Sequence, residues 1–242
     1  MKYEPREYWE KRLRKHFNLK GVGCVRFNES YNKYLYSLKE MVLNRVLNEY
    51  HINVKGKSIL DVGCGTGFFI EYYRERGAAK ILGIDIAPIS INNLRKKFTD
   101  VEFQVLDISK EIPFKNIFDL VNAFDVMYHI IDEDRFRKAI LNICNATRRK
   151  GFVLITDVFG KRDIRPAAHV KFRCYLKYKQ LLLDGGVRIL GIFPLYYLMG
   201  RGLPATLANN LALPFYLLDK TFHKLGFRQN GNNIKLLLGR KM

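Results

Sequence analysis

Five short apolar runs recur between residues 58 and 159, each with an aspartate at or near its end: SILDV, KILGIDI, VEFQVLDI, FDLVNAFDV and GFVLITDVF. Polar segments with helical spacing separate them. One is Phe68–Arg76. A second, Ser90–Phe98, follows Pro88, and proline suits the first turn of a helix. In the third, Asp132–Thr147, Phe136, Ile140, Ile143 and Cys144 share a face, and Asp132 stands where an N-cap belongs. Apolar strands alternating with helices predict an α/β chain with a parallel sheet covered on both faces. Ligands bind such sheets beyond the carboxyl ends of the strands. Asp61, Asp85, Asp107, Asp125 and Asp157 therefore mark the edge where a site is expected.

Three glycines, Gly63, Gly65 and Gly67, interrupt the first run in DVGCGTGFF. A phosphate-binding P-loop needs G-x-x-x-x-G-K-[ST], and the lysine is missing. A dinucleotide fingerprint needs G-x-G-x-x-G, and its third glycine falls here on Phe68. The observed spacing is G-x-G-x-G, with Asp61 two residues before it.

DVGCGTG, followed by an acid at the end of the next strand, resembles the first motif of class I S-adenosylmethionine (SAM) dependent methyltransferases. QVLDI resembles that family's third-strand motif, FDLVNAFDVMYHI the motif after strand four, and TRRKGFVLITD its fifth strand. The resemblance covers about residues 55–160. It implies a seven-stranded, mostly parallel, doubly wound sheet whose last strand is antiparallel. It also implies SAM as cofactor. The glycine turn, with Gly63, Gly65 and Gly67, then faces the methionine part, and Asp61 takes up its ammonium through water or a neighbour. Asp85, 18 residues after Gly67, accepts from the ribose hydroxyls. Asp107 accepts from the adenine amine, with Ile108 and Ile86 as walls for the ring. Asp125 faces the methionine end.

Methyl transfer is an in-line displacement in which the protein aligns and desolvates the acceptor. His129, in DVMYHI, is the candidate general base. The alternative is a histidine that only orders its loop. Tyr128 and Asp125 are weaker candidates for the proton step. A hard cation would want several oxygen ligands. Asp125 and Asp157 offer two, but Val158 stands where the family's metal-dependent members carry Asn, so no metal is expected.

Outside the core, residues 1–55 carry two expected helices, Glu7–Phe17 and Tyr31–Glu49, read as an N-terminal helical cap. The methyltransferase domain is expected over 56–242, with an insertion at about 187–230 before a final strand at Asn233–Leu238. Residues 161–179 hold seven Lys and Arg against one acid, interleaved with Phe172, Tyr175 and Tyr178. This suits stacking on a sugar or base beside an anionic group, or an amphipathic helix with a solvated face. Residues 187–218 fit a lid, a dimer face, a patch for a lipid-linked substrate, or core at a sheet edge. Tyr34, Tyr128 and Arg173 are the candidate acceptor-binding residues, and Asn28 and Tyr31 share the cap with Tyr34.

The net charge of +19 fits a nucleic-acid partner, an anionic membrane surface, an acidic substrate or simple solubility. No RNA-binding appendage and no N-P-P-Y-like motif accompanies it. Four isolated cysteines and an N-terminus without an apolar core point to the reducing cytoplasm. The expected activity is O-methylation of a small molecule or glycan. RNA or protein methylation, or a non-catalytic SAM-binding partner subunit, are the rivals.

Overall fold

The computed structural model describes residues 3–200, 204–227, 231 and 233–242. Three N-terminal helices, α1 (Pro5–Lys15), α2 (Leu19–Val22) and α3 (Glu29–Glu49), precede the sheet. Then come β1 (Ser58–Val62), α4 (Phe68–Glu75), β2 (Lys80–Asp85), α5 (Pro88–Lys97), β3 (Glu102–Val105) and β4 (Phe118–Ala123). A 3₁₀ turn, Met127–His129, leads into α6 (Glu133–Ala146) and β5 (Thr147–Asp157). A two-stranded hairpin follows, β6 (Ile164–Ala167) and β7 (Val170–Phe172), then α7 (Tyr175–Asp184) and β8 (Val187–Pro194). Helices α8 (Ala205–Asn210) and α9 (Ala212–Lys224) precede β9 (Lys235–Lys241).

The main sheet has seven strands in the order β3-β2-β1-β4-β5-β9-β8. β1 to β5 run parallel, and β9 inserts antiparallel between β5 and β8. This is the expected doubly wound sheet with an antiparallel last strand. Its topological switch lies between β1 and β4, the place where open α/β sheets bind ligands. Each central strand is buried on both faces, which explains why the runs are continuously apolar rather than alternating.

The helix boundaries follow local chemistry. Asp132 caps α6 by accepting from the Arg135 N–H, as its position suggested, and Asn28 caps α3 through Tyr31 N–H. Pro88 opens α5 at its first turn. One face of the sheet packs against α3, α4 and α5, the other against α6 and α7.

Two segments differ from expectation. The helical spacing read through Phe172 begins only at Tyr175. Residues 164–172 form the β6–β7 hairpin instead, and Asp163 accepts from the Cys174 N–H at the junction. Val187–Pro194, expected inside an insertion at about 187–230, is the sheet's edge strand β8, which is the sheet-edge alternative for that stretch. Its pairing with β9 supplies long-range ladder bonds that sequence periodicity does not reveal. The helical remainder, α8 and α9, packs on α3.

Candidate active site

The glycine turn is built by two backbone constraints. Gly63 has φ +71° and Gly67 has φ +84°, a region side chains rarely adopt. A Cβ at Gly63 would lie 2.3 Å from Val126, and one at Gly67 would lie 2.7 Å from Leu94. The turn is pinned to β2 because Gly63 N–H donates to Ile84 C=O at 2.7 Å and Gly65 N–H to Asp85 Oδ2 at 2.9 Å. Asp85 Oδ1 accepts from Ala87 N–H. Asp85 thus links the turn to the start of α5, and burial raises its carboxyl pKa against those backbone donors.

Beyond the strand ends lies a cavity of about 560 Å³, within the usual range for small-molecule sites. Asp61, Gly63, Gly65, Asp85, Ile86, Asp107, Ile108, Asp125 and His129 all line it. Gly67 does not; it sits behind the turn as the N-cap of α4. Tyr3, Trp9 and Leu13 close the cavity from the N-terminal side, and Tyr36 and Phe124 add aromatic walls.

The four lining aspartates that the sequence marked, Asp61, Asp85, Asp107 and Asp125, divide into two pairs. Asp125 is ion-paired with the buried Lys39, whose ammonium stands 4.0 Å from the centre of the Tyr36 ring. Asp107 is held by Arg135 at 2.7 Å and by Ser109 Oγ at 2.6 Å. Asp61 and Asp85 have no ion pair among the described residues. Asp61 accepts from Asn122 Nδ2 at 2.5 Å through one oxygen, while its buried Oδ2 has no donor among the described residues. Burial pushes the Asp61 carboxyl up to about 7; Asn122 opposes this and Asp85 adds to it. An unpartnered, destabilised carboxylate beside a second carboxylate favours a cationic ligand there. The ammonium of SAM has that chemistry, and the residues fit the cofactor.

His129 sits in the 3₁₀ turn after β4, and its Nδ1 lies 2.9 Å from the His169 carbonyl oxygen. A carbonyl only accepts, so Nδ1 carries the proton; in the neutral ring the lone pair is then on Nε2. Trp9 meets the ring edge-on at 4.9 Å, and the His169 ring stacks on it at 5.6 Å. The hairpin tip therefore fixes both tautomer and orientation.

The structure separates the acceptor candidates from this cavity. Tyr128 is fully buried against Phe172, and Tyr34 stacks on Tyr216 of α9 at 4.7 Å. Arg173 is fully buried. It donates to Ile130 C=O at 2.7 Å, pairs with Glu133 and lies over the Phe136 ring, where it holds the hairpin to α6. None of the three lines the cavity. Asp157 is sealed by Tyr178 Oη and the Val158 N–H, also away from the cavity wall. Sequence reasoning missed Lys39, Arg135, Trp9 and His169. Lys39 did leave a signal: it falls on the stripe of Val42 and Val46, a cation in an apolar row.

A family model described as a methyltransferase domain matches residues 53–181. A ubiquinone biosynthesis O-methyltransferase of Neisseria meningitidis is 32% identical over 117 residues, covering 45% of this chain and 47% of that protein. A phosphoethanolamine N-methyltransferase of Triticum aestivum is 30% identical over 143 residues, covering 54% of this chain and 28% of that protein. The chain thus matches about half the length, or less, of these curated relatives. In overall shape it is similar to the magnesium protoporphyrin IX methyltransferase of Synechocystis, solved with bound SAM. That likeness has a TM-score of 0.64 at 16% identity over 98% of this chain and 95% of the other. With more than half of its residues under the family model, the glycine turn in place and the seven-stranded sheet formed, the chain belongs to the class I SAM-dependent methyltransferases.

Proposed function

We propose that this chain transfers a methyl group from SAM to a hydroxyl oxygen of a small molecule or glycan. The observation that carries the choice of oxygen is His129, held at the cavity wall with its proton on Nδ1. Amines need only lose a proton to react, whereas an alcohol needs a base and a phenol benefits from one. The names of the first relatives, which specify O-methylation, support the same reading.

Asp61 and the backbone of the glycine turn would hold the methionine part of SAM, Asp85 the ribose hydroxyls, and Asp107 the adenine amine between Ile86 and Ile108. Asp125, its charge balanced by Lys39, would stand by the methionine end. When bound, SAM supplies a methyl group on a positively charged sulfur. The protein's remaining task is to align the acceptor, exclude water and receive its proton. Trp9 and Tyr3 close the cavity over that point. His129 Nε2 accepts the hydroxyl proton, while the His169 carbonyl stabilises the ring as it becomes cationic.

The test is release of S-adenosylhomocysteine with phenol, catechol, sugar, amine and RNA acceptors. A hydroxyl acceptor is expected to turn over. His129→Gln is expected to lower kcat by about 10²-fold or more, with the SAM Kd within about twofold of wild type. Turnover confined to amines or RNA, or full activity in His129→Gln, contradicts the assignment.

A further inference from the structure

We propose that α9 and the groove beside it form a docking surface for an anionic phospholipid bilayer. This inference stands apart from the choice of methyl acceptor. Helix α9 buries Ala212, Asp219 and His223 against the body of the protein. At 100° per residue its outward arc then carries Leu213, Leu217 and Leu218, and Leu225 and Phe227 continue the surface past its end. These are not marginal exposures: Leu217 is 51% accessible and Leu225 65%. A run of large apolar side chains on one surface helix marks an interaction site.

Charge selects the occupant. A groove of about 470 Å³ between α3 and α9 opens beside Leu217 and is lined by Arg45, Lys220 and Lys224, with no acid among the described residues of its wall. None of these three cations is in an ion pair among the described residues. His223 adds a polar atom. Its Nε2–H donates to Leu195 C=O at 3.1 Å, and its buried Nδ1 has no donor among the described residues. Leucines beside lysines match acyl chains beside an anionic phosphate headgroup. A second copy of the chain matches poorly. A two-fold contact would bring the same cations together on two molecules each carrying +19. No described helix is long and apolar enough to cross a membrane, so the contact is peripheral.

The test is co-sedimentation of the full chain with vesicles of phosphatidylglycerol and phosphatidylcholine, or of phosphatidylcholine alone. Binding is expected only to the first, and is expected to weaken in about 0.5 M NaCl. Two double variants separate the contributions: Leu213→Ser with Leu217→Ser, and Lys220→Glu with Lys224→Glu. Each is expected to lower partitioning about tenfold or more, with the SAM Kd and unfolding midpoint unchanged. Three results overturn the proposal. One is no binding to anionic vesicles. Another is binding that neither variant alters, which would assign it to the general positive charge. The third is a concentration-dependent dimer that Leu217→Ser abolishes, which would assign the face to a second copy.

Discussion

Replacing Lys39 with methionine keeps the length of the side chain and removes its charge from beside Asp125. The two side chains are only 6% and 14% accessible, so water does little to screen the loss. Breaking a buried ion pair from one side costs about 3–5 kcal/mol, because the remaining charge stays desolvated. Asp125 keeps its hydrogen bond from Thr156 Oγ1 at 3.1 Å and borders the cavity. Those contacts place the expected loss at the lower end, about 3 kcal/mol. For a chain of this length that corresponds to a fall in Tm of roughly 6–12 °C. Urea unfolding should show a lower midpoint with an unchanged slope. Adding Asp125→Asn removes the stranded charge, so the double variant should recover most of the loss and be about 2 kcal/mol more stable than Lys39→Met alone. A single variant within about 1 kcal/mol of wild type, or a double variant no more stable than the single, would refute the reasoning.

Three further outcomes follow from the same geometry. Burial raises the carboxyls of Asp61 and Asp157 to about 7 from an ordinary value of 3.8. Their contribution to stability is therefore complete below the unfolded value and is lost as pH rises through about 7. The Tm without cofactor should fall between about pH 4.5 and 7.5 and level off above that, and Asp61→Asn with Asp157→Asn should flatten that slope; a Tm equally steep in the double variant would contradict it. Gly67→Ala forces a side chain into φ +84°, 2.7 Å from Leu94 and 2.9 Å from Phe98. It should cost about 1–3 kcal/mol in urea unfolding, and a neutral result would mean the turn is not strained. Arg135→Met takes a guanidinium that is 38% accessible from a carboxylate that is 13% accessible and keeps both Ser109 donors, so stability should fall by only about 1 kcal/mol. The KM for SAM should rise at unchanged kcat, whereas a fall in kcat alone would place Arg135 in the chemistry.

The parts of this molecule that were readable in advance are those fixed by local pattern. β1, α4 and the turn between them follow from an apolar run, three glycines and an amphipathic segment within eighteen residues. Asp61, Asp85 and Asp107 share the cavity because parallel strands deliver their carboxyl ends to one edge. What stayed hidden depends on contacts distant in sequence. Lys39 reaches Asp125 across 86 positions, and the His169 carbonyl reaches His129 across 40. β8 joins the sheet through β9, which lies on the far side of two helices. Arg173 was read as a ligand-facing cation because composition shows charge and not burial. In the fold its guanidinium is used up by Ile130 C=O, Glu133 and the Phe136 ring.

The central claim is that the glycine turn and the three acids hold SAM. Isothermal titration of the purified chain with SAM, S-adenosylhomocysteine and NAD tests it most directly, with Asp85→Ala in parallel. The account predicts one site per chain, micromolar binding of both sulfur ligands, none of NAD, and loss of binding in a folded Asp85→Ala sample. A folded wild-type protein that gives no heat with SAM, or an Asp85→Ala variant that binds it equally well, would contradict the account.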